Sequence, residues 1–100
     1  MENRVSDHLP QEEILAQLAE EAAELSQAAL KLRRTLIRKN PTPVSSRDAL
    51  KRLEEEIADV KVCLKSVQGT DNRRIQLIMQ QKSERWIERL QEAERRERIP

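Results

Sequence analysis

The chain is short of nearly everything that builds a sheet or a covalent staple. Its 100 residues include one glycine, no tyrosine, no phenylalanine and a single tryptophan, Trp86. The β-branched and aromatic runs that strands favour are missing, which excludes a β fold. Cys63 is the lone cysteine, so no internal disulfide forms, and a reducing compartment suits it. His8 is the lone histidine. Zinc centres and the Glu-x-x-His pairs of di-iron bundles therefore lack their ligands. No apolar run reaches the roughly 18 residues of a membrane span, and no secretory signal is seen. A soluble, cytoplasmic protein with no membrane partner is expected. Neither sign of charge dominates: 19 basic and 18 acidic residues interleave to a net +1. Without a basic block, no nucleic-acid partner is expected.

What is present is helical. Leu, Ala, Glu, Gln, Arg and Lys dominate, all good helix formers, and the apolar residues recur in regular order rather than thinning out as in disordered chains. The pattern predicts an all-α fold, a single domain over residues 1–100, with helices at roughly 10–38, 46–68 and 71–95. Pro10 suits a first turn, and Ile14, Leu18, Ala22, Leu25, Ala29, Leu32 and Leu36 step along one face. Pro41 and Pro43 stop that helix. Ser45 or Ser46 can cap the second, with Asp48 in its first turn and Leu50, Leu53, Ile57, Val60, Leu64 and Val67 as its stripe. Gly69 offers a stop, and Asp71 can cap a third helix striped with Ile75, Met79, Trp86 and Leu90. The charged tail from Glu94 to Arg98 is expected to fray.

Such narrow stripes make a thin core. Ala19, Ala22, Ala23, Ala28 and Ala29 give the first helix a smooth surface for close approach of another backbone. The economical completion is a helical bundle built from more than one copy, a homodimer or a dimer of dimers, and the alternative is a self-sufficient three-helix monomer.

The informative residues are acidic and repeat their spacing: Glu20-Glu21-Ala-Ala-Glu24 in the first helix and Glu55-Glu56-Ile-Ala-Asp59 in the second. Residues three apart share a helix face. At about 100° per residue, Glu21 and Glu24 fall on one shoulder of the first stripe, and Glu56 and Asp59 on the matching shoulder of the second. Carboxylates at a core edge are costly unless a cation compensates them, and oxygen-only ligands favour Mg²⁺ or Mn²⁺. With 18 acids in the chain, ordinary solvated glutamates on helix surfaces explain the same spacing.

The stretches LAEEAAELSQAALKLRR, NPTPVS and LEEEIADV, followed by a K-x-x-R-W-I-x-R-L helix, resemble the MazG-like nucleotide pyrophosphohydrolases from about Glu12 to Leu90. The resemblance implies a helical, oligomeric, Mg²⁺-dependent enzyme that cleaves nucleoside triphosphates between the α and β phosphates. EEAAE and EEIAD resemble the family's two-part E-E-x-x-E and E-x-x-D signature; carried over by position, the metal ligands are Glu21, Glu24, Glu56 and Asp59, and Glu20 matches the first position of that signature. The stretch from Glu24 to Glu56 is long for the family, and the loop from Asn40 to Ser46 can absorb the excess.

In the third helix, Lys82 lies within the stripe, with Arg85 and Arg89 along its edge. A lysine there can snorkel to water or, as the resemblance implies, clamp a phosphate, with Arg85 and Arg89 as further substrate contacts. Trp86 fits the core or a stacked base, Cys63 reads as a small buried hydrophobe, and Lys31 and Arg34 border the site or an open helix face. A water activated by Glu20 or Glu21 would serve as nucleophile, with Lys82 stabilising phosphate charge. Two other readings stand beside this one: a catalytically silent helical interaction or regulatory dimer, and a phosphoribosyl-ATP pyrophosphatase-like activity.

Overall fold

The computed structural model describes residues 3–99. After a short 3-10 helix at Val5–Asp7 come three α-helices: α1 (Gln11–Ile37), α2 (Ser46–Ser66) and α3 (Asn72–Arg98), with no strand among the described residues. Local chemistry sets each boundary. Pro10 is the N-cap of α1 rather than its first turn, and Arg38 ends that helix in the left-handed region at φ 52°, its N–H donating to the Arg34 carbonyl. Ser45 caps α2 by accepting from the Asp48 N–H at 3.1 Å, and Asp71 caps α3 by accepting from the Arg74 N–H at 3.2 Å. Val67 closes α2 in an extended conformation, so Gly69, at φ 90°, serves the connection beyond the cap and not the cap itself. α3 continues through the charged tail to Arg98, where Glu92 pairs with both Arg95 and Arg96 one turn on.

The chain divides into two compact units, residues 1–68 and 69–100. In the first, α1 and α2 pack as an antiparallel hairpin. Its two ends are tied. The Ser46 hydroxyl donates to Thr35 Oγ1 at 2.9 Å near the loop, and Gln11 exchanges two 3.3 Å hydrogen bonds with the Gln68 backbone at the open end.

The buried seam runs along Ile14, Leu18, Glu21, Leu25, Ala28, Leu32 and Thr35 of α1 and Ala49, Leu53, Glu56, Val60 and Cys63 of α2. Both rows step by fours and threes, the 3.5-residue rhythm of two helices lying side by side. The expected stripes are displaced by one residue at every second step. Ala22, Ala29, Leu36, Leu50, Ile57 and Leu64 are exposed, while Glu21, Ala28, Thr35, Ala49, Glu56 and Cys63 take the inward places. Two of the most buried places in the seam are taken by small side chains, Ala28 and Ala49. Ile14 is the one bulky aliphatic side chain that is buried among the described residues, so the hairpin core is thin.

The second unit is α3, which has no buried residue. Ile75, Met79, Trp86 and Leu90, its expected stripe, are all exposed, Trp86 to 67%. Among the described residues no helix is long and apolar enough to cross a membrane.

Candidate metal centre

The one-residue shift of the seam turns carboxylates inward. Glu21 and Glu24 stand one turn apart on α1, Glu56 and Asp59 one turn apart on α2, and the antiparallel register sets the two pairs opposite each other. One carboxylate oxygen from each of the four lies within 4.8 Å of all the others. Glu56 is only 2% exposed, Glu21 is half-buried, and Glu24 and Asp59 open to solvent. The group therefore forms a pit with a buried floor and an open rim.

Its floor is incompletely satisfied. Glu56 Oε1 pairs with Arg52 Nη2 at 2.7 Å across one turn of α2, and Glu21 Oε1 accepts from Gln17 Nε2 at 2.8 Å across one turn of α1. The second oxygens, Glu21 Oε2 and Glu56 Oε2, are buried with no hydrogen-bond partner. Buried acceptors are normally paired, and leaving one unpaired typically costs about 1–3 kcal/mol, more for a charged group. The hydrogen bond from Gln17 lowers the pKa of Glu21, but burial and the negative charges of Glu24 and Asp59 outweigh it, and the net direction is up from 4.5. Cys63, buried in the same seam, has its thiol pushed above 9.0 by burial and by Glu21 and Asp59, so it stays protonated and inert.

A divalent cation answers each of these features. Held there, it would give the buried carboxylate oxygens a partner and would relieve the repulsion among like charges. Four carboxylates without imidazole or thiolate suit hard Mg²⁺ or Mn²⁺. The residues present thus fit the ion, with Glu21, Glu24, Glu56 and Asp59 as its holders. Glu20 is exposed on α1 and stands outside the four.

Two residues of the site escaped notice in the sequence, Arg52 and Gln17. Each lies four residues before the carboxylate it holds, a spacing that was visible but common in a chain 37% charged. Lys31 and Arg34 line an open cleft of the hairpin together with Glu24, Gln27, Leu30 and Arg52. Lys82, Arg85 and Arg89 gather beside Trp86 on a shallow surface of α3, and all four are exposed. Lys82 thus has a solvated ammonium, not one held at a core edge.

No protein-family model, curated protein or solved structure matches the chain.

Proposed function

We propose that the chain is a Mg²⁺-dependent nucleoside triphosphate pyrophosphohydrolase, acting as the MazG-like enzymes it resembles do, and giving a nucleoside monophosphate and pyrophosphate. One observation carries the reading: four carboxylates bring one oxygen each within 4.8 Å of one another, and two of them, Glu21 and Glu56, stand in the hairpin seam, where packing alone favours apolar side chains. Two of their buried oxygens lack any partner. A solvated acidic surface has no reason to turn those groups inward, since each orphaned acceptor works against folding.

In this reading the chain's own residues divide the work. Gln17 and Arg52 each hold one oxygen of Glu21 and of Glu56, which restrains the two carboxylates before any ligand arrives. Glu24 and Asp59, at the rim, complete the donor set where a nucleotide can enter. When bound, Mg²⁺ supplies charge neutralisation for the triphosphate and for the departing pyrophosphate. Water attacks the phosphoric anhydride in line, and Glu20 or Glu21 takes its proton. Lys82, with Arg85 and Arg89, offers cationic contacts to the phosphates.

A second copy completes the protein as a homodimer or a dimer of dimers in the cytoplasm. The thin hairpin core, with Leu36, Leu50, Ile57 and Leu64 exposed beside it, supports that part of the reading.

The test is a panel of ribo- and deoxynucleoside triphosphates incubated with Mg²⁺ and scored for products. Monophosphate and pyrophosphate in equal amounts are expected, with no turnover in chelator. Release of inorganic phosphate in place of pyrophosphate would assign the cleavage to another bond. Turnover of phosphoribosyl-ATP alone would move the activity to that relative of the same chemistry. No turnover with any substrate would leave a silent helical dimer.

A further inference from the structure

The carboxylate pit does not stand alone on the hairpin. Along α1, Glu24 is followed by Lys31 and Arg34, two and three turns further toward the loop, and α2 brings Arg52 alongside. These residues line one open cleft of about 590 Å³, inside the range of about 300–1,000 Å³ that ligand clefts occupy. Glu24 belongs to both features: it is a member of the carboxylate group and a wall of the cleft. The cleft is therefore the direct continuation of the pit, with three cations facing one carboxylate. Lys31 lies about 10 Å along the helix axis from Glu24, given a rise of about 1.5 Å per residue. Its four-carbon stem spans much of that distance.

Arg52 is the hinge of the arrangement. Its Nη2 meets Glu56 Oε1 at 2.7 Å and its Nη1 lies 3.6 Å from Glu55 Oε2, yet the side chain remains 60% exposed. A guanidinium that touches the buried carboxylate from the solvent side can turn one edge to an incoming anion without leaving a buried charge of its own. Unlike Lys82, Arg85 and Arg89, these three cations sit in the same compact unit as the carboxylates.

We propose that the cleft lined by Glu24, Lys31, Arg34 and Arg52 is the binding site for the triphosphate group of the nucleotide, with Lys31 and Arg34 as the residues that set affinity for the phosphates distal to the carboxylates. The proposal rests on the hydrolase reading for the identity of the ligand. It goes beyond that reading in giving the hairpin its own phosphate contacts, in addition to those assigned to Lys82, Arg85 and Arg89.

The experiment is calorimetric binding of a non-hydrolysable α,β-imido nucleoside triphosphate in Mg²⁺, with Mn²⁺ binding followed separately by electron paramagnetic resonance. For Lys31→Gln with Arg34→Gln, affinity for the analogue should fall at least about tenfold, since a hydrogen bond to a charged group contributes about that much. Mn²⁺ affinity should stay within about twofold of the parent, because neither residue belongs to the carboxylate group. The corresponding nucleoside, lacking phosphates, should bind both proteins equally. If the double variant loses helicity, Arg34→Gln alone, at an exposed position, should weaken the analogue in the same direction. Undiminished analogue binding in the folded variant, or no analogue binding in the parent, overturns the proposal. Absence of a Mn²⁺ site in a parent whose triphosphate binding still depends on Lys31 and Arg34 would sink the hydrolase reading and leave the cleft standing.

Discussion

The two units of the molecule carry opposite anomalies. In the hairpin, a carboxylate occupies one of the most buried positions: Glu56 is as inaccessible as Ile14, at 2%. In α3, the bulkiest apolar side chain, Trp86, is 67% exposed, with Met79 at 61%. A charge sits where packing wants carbon, and carbon sits where solvation wants charge. Each departure has a cost, and each cost names what would relieve it. Buried carboxylates want a cation; exposed aromatic and aliphatic groups along a helix want another protein surface. The contrast separates a unit whose anomaly is buried charge from a unit whose anomaly is exposed carbon.

The sharpest way to break that contrast is to remove one charge from each unit. Glu56→Gln should lower pyrophosphate release by about 100-fold or more, equivalent to about 2.7 kcal/mol of barrier. The same protein in chelator should be as stable as the parent or more so. Its Arg52 partner is solvated, so no buried charge is stranded, and repulsion with Glu21, Glu24 and Asp59 is relieved. Lys82→Leu should also cut turnover by about 100-fold if the ammonium contacts phosphate. Lys82 is exposed, so this change should move stability by no more than about 0.5 kcal/mol. Urea unfolding beside a product assay checks both. A Glu56→Gln protein that hydrolyses nucleotides normally would end the metal assignment, and a fully active Lys82→Leu would return that lysine to the solvent.

A ligand that binds only the folded hairpin must stabilise it. At a concentration about 100 times its Kd, Mg²⁺ or Mn²⁺ contributes about 2.7 kcal/mol, which for a chain this size raises Tm by roughly 10–20 °C. Glu56→Gln should blunt the response. A melting curve indifferent to millimolar Mg²⁺ and Mn²⁺ would remove the distinction between the seam carboxylates and ordinary surface acids. On the other side of the comparison, Trp86 is the only aromatic residue and reports on α3 alone. Light scattering should give about two or four times the 11.7 kDa protomer mass. Trp86 emission should shift to the blue, by a few nanometres, as protein concentration rises through the assembly range. Emission that stays solvent-like in a proven dimer would place α3 outside the interface.

Much of the backbone was legible from single residues. Pro41 and Pro43 forbid helix, Ser45 and Asp71 offer capping oxygens, and the helices begin where those oxygens accept. The choice of face was less legible. A stripe drawn through Ala22 and Ala29 is as apolar as a stripe can be, yet the hairpin buries Glu21 and Ala28. Hydropathy does not distinguish Ala28 from Ala29, whereas the seam of α1 keeps the alternating four-and-three step of two helices lying side by side, and that step passes through Glu21 and Ala28. That Glu21 shares a face with Glu24, and Glu56 with Asp59, followed from the three-residue spacing. The placement of Glu56 on the floor and of Glu24 and Asp59 on the rim did not, because wheel angles resolve faces and not depths. Arg52 was one cation among 19, and only its contact with Glu56 distinguishes it.

The smallest effect expected is also the one that reads the pit most directly in the absence of metal. Glu21 has a pKa raised above 4.5 in the folded chain, because burial and the charges of Glu24 and Asp59 exceed the opposing hydrogen bond from Gln17. Unfolding releases it to its ordinary value. Between those two values the folded state binds the proton more tightly, so ∂ΔG/∂pH for unfolding is negative there. The stability Glu21 contributes is fully present below about pH 4.5 and is lost as pH rises through the folded pKa. Glu21→Gln keeps an acceptor for Gln17 and cannot titrate. The parent should therefore gain stability relative to Glu21→Gln as pH is lowered from neutral toward 4.5 in chelator, as measured by urea unfolding. With saturating Mg²⁺ the sign should reverse, since a bound cation favours the ionised carboxylate and carries its pKa below the unfolded value. Parallel pH profiles for the two proteins in chelator would mean that Glu21 is solvated like any surface glutamate, and the floor of the pit would have to be assigned to Glu56 alone.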